Sequence, residues 1–185
     1  MISFGPSFGN IIKEYQLSSL LKDKDQVFLL LGGNIGDVAK TFAKAINLIG
    51  DFARVVKTSG LYSTEAWGME SADSFTNQTL LITTDLSPMT LLAKLQEVEK
   101  TLGRLAKTNY GGNYESRELD IDILLWGDLV TKTEHLTIPH PRLHLRNFTL
   151  IPLAELAPEF RHPIFKQTVS ELLMESTDKL KVTKL

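Results

Sequence analysis

The sequence predicts an α+β sandwich, an antiparallel sheet with two helices packed on one of its faces. Three observations support this. Apolar runs at 27–31, 54–62, 75–84 and 119–126 have strand length and strand composition. Two longer segments, 38–49 and 88–102, repeat their apolar residues at helical spacing. Glycine, proline, aspartate or serine stands at most of the joins. The resulting order is β-α-β-β-α-β, which is the ferredoxin-like order.

Taken in turn, Val27 to Leu31 is a continuous apolar run and reads as a buried strand, ended by the glycines of GGNIG. Asp37 suits a helix N-cap, Val38, Phe42, Ile46 and Ile49 form one stripe, and Gly50 suits the C-cap. Arg54 to Tyr62 reads as a second strand with a bulge at Gly60. Phe75 to Thr84 is a third, rich in Thr, Leu and Ile. Ser87-Pro88 starts a second helix, Leu91, Leu92, Leu95, Val98 and Leu102 bury it, and Gly103 ends it. SRELDIDILLW, Ser116 to Trp126, is the fourth strand. Residues 127–185 carry shorter elements and are expected to cover the other face or the edge of the sheet, with Leu172 and Leu173 in a closing helix. Residues 1–25 read as an N-terminal extension, with a short helix at Ile11 to Leu21. Residues 26–185 read as one domain.

Bulk composition narrows the function. The chain has 185 residues, 43% of them hydrophobic, enough for one substantial core. A net charge of -2 argues against a broad nucleic-acid surface, which needs a basic excess. The absence of cysteine removes disulfides and thiolate metal sites and is in keeping with a cytoplasmic protein. No apolar run approaches the ~20 residues of a membrane span, and none is expected. The oligomeric state, monomer or dimer, is not readable.

Asp120 and Asp122 are the chemical anomaly. Side chains two apart on a strand point the same way, ~6.5–7 Å apart at Cα. Two full charges at that distance repel by ~0.6 kcal/mol in water and ~2.4 kcal/mol at an effective dielectric of 20. One reading is the solvated face of a sheet, where alternation is ordinary. The other is a cation site, since carboxylates plus substrate phosphates are the usual ligands of Mg²⁺. Arg104, Lys107 and Arg117 lie just before the pair, and His140, Arg142, His144 and Arg146 follow within IPHPRLHLRNF. Acids that need a metal beside cations that need an anion form the charge pattern of a Mg-nucleotide site, although each cation alone reads as a surface charge. Phe75, Asn77 and Phe148 could sandwich and read a planar heterocycle, or the two rings could be core. GGNIG matches neither nucleotide-loop pattern and reads as a tight turn.

RELDIDILL resembles the signature of the 6-hydroxymethyl-7,8-dihydropterin pyrophosphokinases of folate biosynthesis. VFLLLGGNIGD, GLYSTEAWG, SFTNQTLLI, TLGR and LTIPHPRLHLRNFTLIPLAELAP are similar to further segments of that family, from about Gln26 to about Leu173. The resemblance implies a ferredoxin-like fold and transfer of pyrophosphate from MgATP to the pterin hydroxymethyl oxygen, leaving AMP. It implies that Asp120 and Asp122 hold two Mg²⁺ ions. Arg104, Arg117 and Arg146 would bind the triphosphate, His140 would contact phosphates near the leaving group, and Glu99 would lie on the nucleotide side. Phe75 and Phe148 would stack on the pterin, Asn77 would bond its edge, and Thr64 and Trp67 would line its pocket. The catalytic set implied is Arg104, Arg117, Asp120, Asp122 and His140. The sequence departs from the family's pattern at Ala106, Tyr114, Glu115 and Ser116, between two of the expected arginines. Two other readings remain: a non-catalytic pterin- or nucleotide-binding module, and a metal-dependent phosphohydrolase that uses the same acids with His140.

Overall fold

The structure, a computed structural model, describes residues 26–64, 74–103 and 118–185. The N-terminal extension, and with it the helix expected at Ile11 to Leu21, lies outside the described residues.

The elements are β1 (Val27–Gly33), α1 (Val38–Ile49), β2 (Arg54–Thr58), β3 (Tyr62–Thr64), β4 (Phe75–Thr83), α2 (Pro88–Thr101), β5 (Asp120–Trp126), β6 (Thr131–Lys132), β7 (Thr137–Ile138), α3 (Asn147–Leu156), α4 (Val169–Met174) and β8 (Val182–Lys184). The main sheet runs β5-β1-β4-β3-β8, with β2 also paired to β4, and every pairing in it is antiparallel. This is the expected ferredoxin-like α+β sandwich.

Local chemistry explains most of the boundaries. The Asp37 carboxylate accepts the Lys40 N–H at 3.0 Å and caps α1. Ser87 caps α2 by accepting from Thr90 N–H at 3.2 Å, with proline in the first turn. Gly103, at φ +115°, supplies the left-handed residue that ends α2.

Some boundaries differ from the sequence reading: the strand read from Ser116 begins at Asp120, with Glu118 and Leu119 outside it. β1 does not stop at Leu31: Gly32 and Gly33 are paired strand residues, and the turn is confined to 34–37. The expected second strand is two strands, β2 and β3, interrupted at 59–61. The bulge lies at Val56, between the pairs Val55–Ile82 and Lys57–Leu81, and not at Gly60. Gly60 instead faces the C-terminal strand, where a Cβ would stand 2.5 Å from the Lys184 side chain.

The two faces of the sheet are buried differently. Val27, Leu29, Leu31, Leu80, Ile82, Ile121 and Ile123 pack under α1 and α2 with Phe42, Ala45, Ile49, Leu91 and Leu95. Phe28, Leu30, Leu81, Leu124 and Leu125 face the opposite way, onto Leu143, Leu150, Leu153, Phe160, Val169 and Leu172. The C-terminal third therefore covers the second face, and β8 extends the edge, as expected.

Candidate active site

The register decides which polar residues meet. Asp120 pairs with Gly32 and Asp122 with Leu30. Gly32 pairs in turn with Asn77, Leu30 with Thr79, and Asn77 with Tyr62. Directly paired residues share a face, so Asp120, Gly32, Asn77 and Tyr62 form one row across four strands. Asp122, Leu30 and Thr79 form the next row. Phe75 and Thr64, also a pair, lie beyond Asn77. All of these residues are on the side away from α1 and α2. The shared face expected for Asp120 and Asp122, and for Phe75 and Asn77, is present.

Gly32 is the gap in the row. Neighbouring strands are about 4.8 Å apart, so Asp120 and Asn77 stand about 10 Å apart with no side chain between them. Asn77 leans over this gap, its Oδ1 only 3.4 Å from where a Gly32 Cβ would stand. Asn77 is 5% exposed and its Nδ2 lies 3.5 Å from Thr64 Oγ1, the outer limit of a hydrogen bond. The Asn77 carbonyl oxygen therefore faces the gap.

The strand carrying the acids is held from outside the sheet. Glu99 of α2 is 2% exposed and accepts the N–H of Ile121, the residue between the two aspartates, at 2.8 Å. Within β5, Leu124 has no partner on β1, because Phe28 pairs with Leu125 and Leu29 with Ile123. That bulge turns Leu124 and Leu125 onto the same side. The Leu124 carbonyl accepts the His140 N–H at 2.8 Å, which anchors His140 two residues from Asp122.

His140 is neutral there. Burial lowers its pKa to about 4, helped by the positive charges of Arg146 and Arg142 and opposed by Asp120. Its Nδ1 accepts the Arg142 N–H at 3.3 Å, which leaves Nε2 as the N–H donor. Arg146 sits just ahead of α3, and its guanidinium carbon lies 5.3 Å from the centroid of the Phe148 ring. The residue expected on triphosphate and the residue expected on pterin are thus in contact.

Thr64, Phe75, Asn77, Asp120 and Asp122 are united by the sheet, and His140, Arg146 and Phe148 belong to the segment that covers the same face. Trp67, Arg104 and Arg117 lie outside the described residues, as do Ala106, Tyr114, Glu115 and Ser116. Glu99 is buried behind the strand and acts on it through a backbone group.

Sequence reading missed Gly32, which it assigned to a turn, and Thr79, a fully buried residue whose Oγ1 has no hydrogen-bond partner. Their signal is positional: Gly32 is opposite Asp120 and Asn77, and Thr79 lies in the row of Asp122 with Leu30 between them, once the strands are in register. Two surface cavities among the described residues, of about 530 and 450 Å³, flank the 34–37 turn on the α1 side and are lined by none of the site residues.

Two partly buried aspartates on one face, with oxygen donors only, suit a hard divalent cation shared with phosphates. Among the described residues there is no cluster of three or more acidic, histidine or cysteine side chains that would enclose a metal alone.

The family model described as 7,8-dihydro-6-hydroxymethylpterin-pyrophosphokinase matches residues 28–158. A protein of Aquifex aeolicus named 2-amino-4-hydroxy-6-hydroxymethyldihydropteridine pyrophosphokinase is 40% identical over 151 residues, covering 82% of this chain and 92% of its own. One of the same name from Porphyromonas gingivalis is 37% identical over 139 residues, covering 74% and 93%. Among solved structures, Plasmodium falciparum HPPK-DHPS with pteroate superposes with a TM-score of 0.64 at 14% identity, over 81% of this chain and 44% of that one. That likeness bears on the fold alone, and the chain spans less than half the length of that structure.

Proposed function

The chain belongs to the 7,8-dihydro-6-hydroxymethylpterin-pyrophosphokinase family and transfers pyrophosphate from ATP to hydroxymethyldihydropterin in folate synthesis; we propose that it does so over the row Asp120–Gly32–Asn77. The enzymes of this family use ATP, generally with Mg²⁺. In our reading Asp120 and Asp122 hold two such ions together with the triphosphate. Bound there, Mg²⁺ would neutralise phosphate charge and lower the pKa of the attacking hydroxyl.

The remaining roles follow from the residues. The pterin lies over Gly32, with Phe148 and Phe75 on its faces and Asn77 and Thr64 along its edge, and Trp67 completes that pocket. An amide beside a threonine hydroxyl matches alternating donors and acceptors on a heterocycle. The hydroxymethyl oxygen then points towards Asp120 and Asp122. It attacks the β-phosphorus, the bond from that phosphorus to the α,β-bridging oxygen breaks, and AMP leaves. The hydroxyl proton departs to solvent. Nothing here needs a covalent enzyme intermediate: positioning and charge neutralisation supply the rate. His140, neutral and donating from Nε2, bonds a phosphate oxygen near the leaving group without adding charge. Arg104, Arg117 and Arg146 bind the triphosphate. Glu99, expected on the nucleotide side from the resemblance, acts through the strand by holding the Ile121 N–H.

The observation that carries this reading is the register: two acids and a buried amide share one face, separated by a glycine. No described helix is long and apolar enough to cross a membrane. The cytoplasm is the compartment we propose, and residues 26–185 the single catalytic domain.

Phosphorus NMR of the protein with MgATP and 6-hydroxymethyl-7,8-dihydropterin tests the reaction. AMP and a pterin diphosphate, with no ADP, are expected. ADP or free phosphate would point to a kinase or the hydrolase reading, and binding without turnover to the binding module.

A further inference from the structure

We infer that Asp178, in the segment after α4, is a positioning residue for catalysis: it sets the corner from which Arg146 and Phe148 reach the two substrates. The inference rests on the roles given to those two residues above. They are separated by Asn147 alone, the first residue of α3. The Arg146 carbonyl accepts the N–H groups of Thr149 and Leu150, each at 3.0 Å, but the donor side of this corner is not capped locally. The N-cap position, Arg146, makes no side-chain capping bond. Pro152 lies within α3, so the Phe148 carbonyl is denied the N–H that would bond it four residues on.

Asp178 supplies what is missing. Its Oδ2 accepts the Asn147 N–H at 2.8 Å, and its backbone carbonyl accepts from Asn147 Nδ2 at 3.0 Å. Its other carboxylate oxygen, Oδ1, accepts the Leu180 N–H at 3.0 Å, and its own N–H donates to Ser176 Oγ at 3.3 Å. Both oxygens of the carboxylate are thus committed to backbone donors. An N-cap acceptor normally sits on the residue just before the helix. Here it comes from 31 residues further along the chain. The capping function therefore also joins the C-terminal segment to the corner between the triphosphate and pterin residues. Beyond it the same segment continues into β8, where Lys184 pairs with Glu155 near the other end of α3 at 3.0 Å.

A corner that carries one residue for each substrate must hold both at once. Loss of its clasp therefore lowers affinity for both, in contrast to loss of Phe148 alone. Misplacing a reacting group by about 1 Å costs up to ~100-fold.

The test compares Asp178→Ala, Asp178→Asn and Lys184→Ala in the full chain. The readouts are kcat/KM, equilibrium binding of MgATP and of 6-hydroxymethyl-7,8-dihydropterin measured separately, and thermal unfolding. Asp178→Ala should weaken both ligands and lower kcat/KM between about 10- and 100-fold while it remains folded. Asp178→Asn keeps the backbone carbonyl and one of the two side-chain acceptors but sets an amide NH2 against the other N–H, so it should recover only part of that. Lys184→Ala, which loosens β8 away from the corner, should leave binding near the wild type. Wild-type kcat/KM in Asp178→Ala, with only a lower Tm, would reduce Asp178 to a structural cap and overturn the inference. Equal losses in Lys184→Ala would do the same. Should Asp178→Ala fail to fold, Asn147→Ala removes one bond of the clasp and must show a smaller loss on both ligands. Arg146→Ala and Phe148→Ala, run alongside, separate the two ideas. If they leave binding intact, the site reading fails; if they impair it and Asp178→Ala does not, this inference alone fails.

Discussion

The two faces of the sheet are built from the same strands and obey opposite rules. On the side of α1 and α2 every inward position of β1 and β5 is apolar: Val27, Leu29 and Leu31, then Ile121 and Ile123. On the other side the apolar residues stop partway. Phe28 and Leu30 give way to Gly32, and Leu124 and Leu125 are preceded by Asp122 and Asp120. Along β1 and β5 one face is given to packing, while the other is core at one end and carries the proposed site at the other. Stability and turnover are thus separable here, because alternation sends neighbouring residues to different sides.

The largest expected effect breaks the comparison at the acids. Asp122→Ala should lose about a thousandfold or more in MgATP-dependent turnover while its thermal transition stays near the wild type. Removing a carboxylate beside another even relieves repulsion. Wild-type activity in this variant would refute its assigned role.

The complementary change is on the helix face. Leu95 is fully buried in the core beneath α2, so Leu95→Ala should cost about 2–5 kcal/mol in urea unfolding. Its folded fraction should keep its kcat/KM. A selective loss of catalysis at full stability would show that the faces are not separable.

Adjacent glycines sharpen the contrast to one residue. At Gly33 a Cβ would stand 2.6 Å from the Glu118 carbonyl oxygen, a backbone atom that cannot swing aside. Gly33→Ala should cost about 1–3 kcal/mol of stability. At Gly32 the nearest atom is a side-chain oxygen at 3.4 Å. Gly32→Ala should fold well and raise the KM for pterin more than that for ATP. Equal KM changes would argue against a pterin over that residue.

The smallest effect is in pH. Burial holds His140 near pKa 4, with Arg146 and Arg142 adding to it and Asp120 opposing. Burial, with His144 nearby, does the same to His162. Both lie below the ordinary value near 6.5, so the unfolded chain takes up these protons first. From these two groups stability should begin to fall as the pH drops through about 6.5 and keep falling towards 4. Glu155 and Glu171 have lowered pKa values, the first through hydrogen bonds from Tyr62 and Lys184 that outweigh its burial, the second through bonds from Thr168. Their contributions are lost only below the ordinary carboxylate range. Both histidines therefore contribute to the slope between 6.5 and about 4.5, and His140→Gln should flatten part of it in urea midpoints taken at pH 7 and pH 5.

Much of this was legible beforehand because the signals are local. Asp37 and Ser87 cap the helices they precede, and alternation in β5 does put both aspartates on one side. The split of the second strand was not legible. Leu61 and Tyr62 resume the apolar run after Ser59 and Gly60, while in the structure Ser59 bonds β4 through its side chain and Gly60 is drawn to Glu155. Gly32 read as a turn because glycine favours turns. Its place opposite Asp120 and Asn77 depends on a register that pairs three distant segments.

By itself the sequence determined the order of the elements, their caps, the paired acids and the resemblance that pointed to pyrophosphoryl transfer. All of these depend on residues near one another in the chain, where spacing and side-chain chemistry act directly. Tertiary structure alone decided that Asn77 faces Asp120 across a residue with no side chain. It also decided that His140 hangs from a bulged carbonyl on the acids' own strand, and that Asp178 caps a helix begun 31 residues earlier. Such contacts join segments far apart in the chain, and only the packing of both faces of the sheet fixes which of them meet.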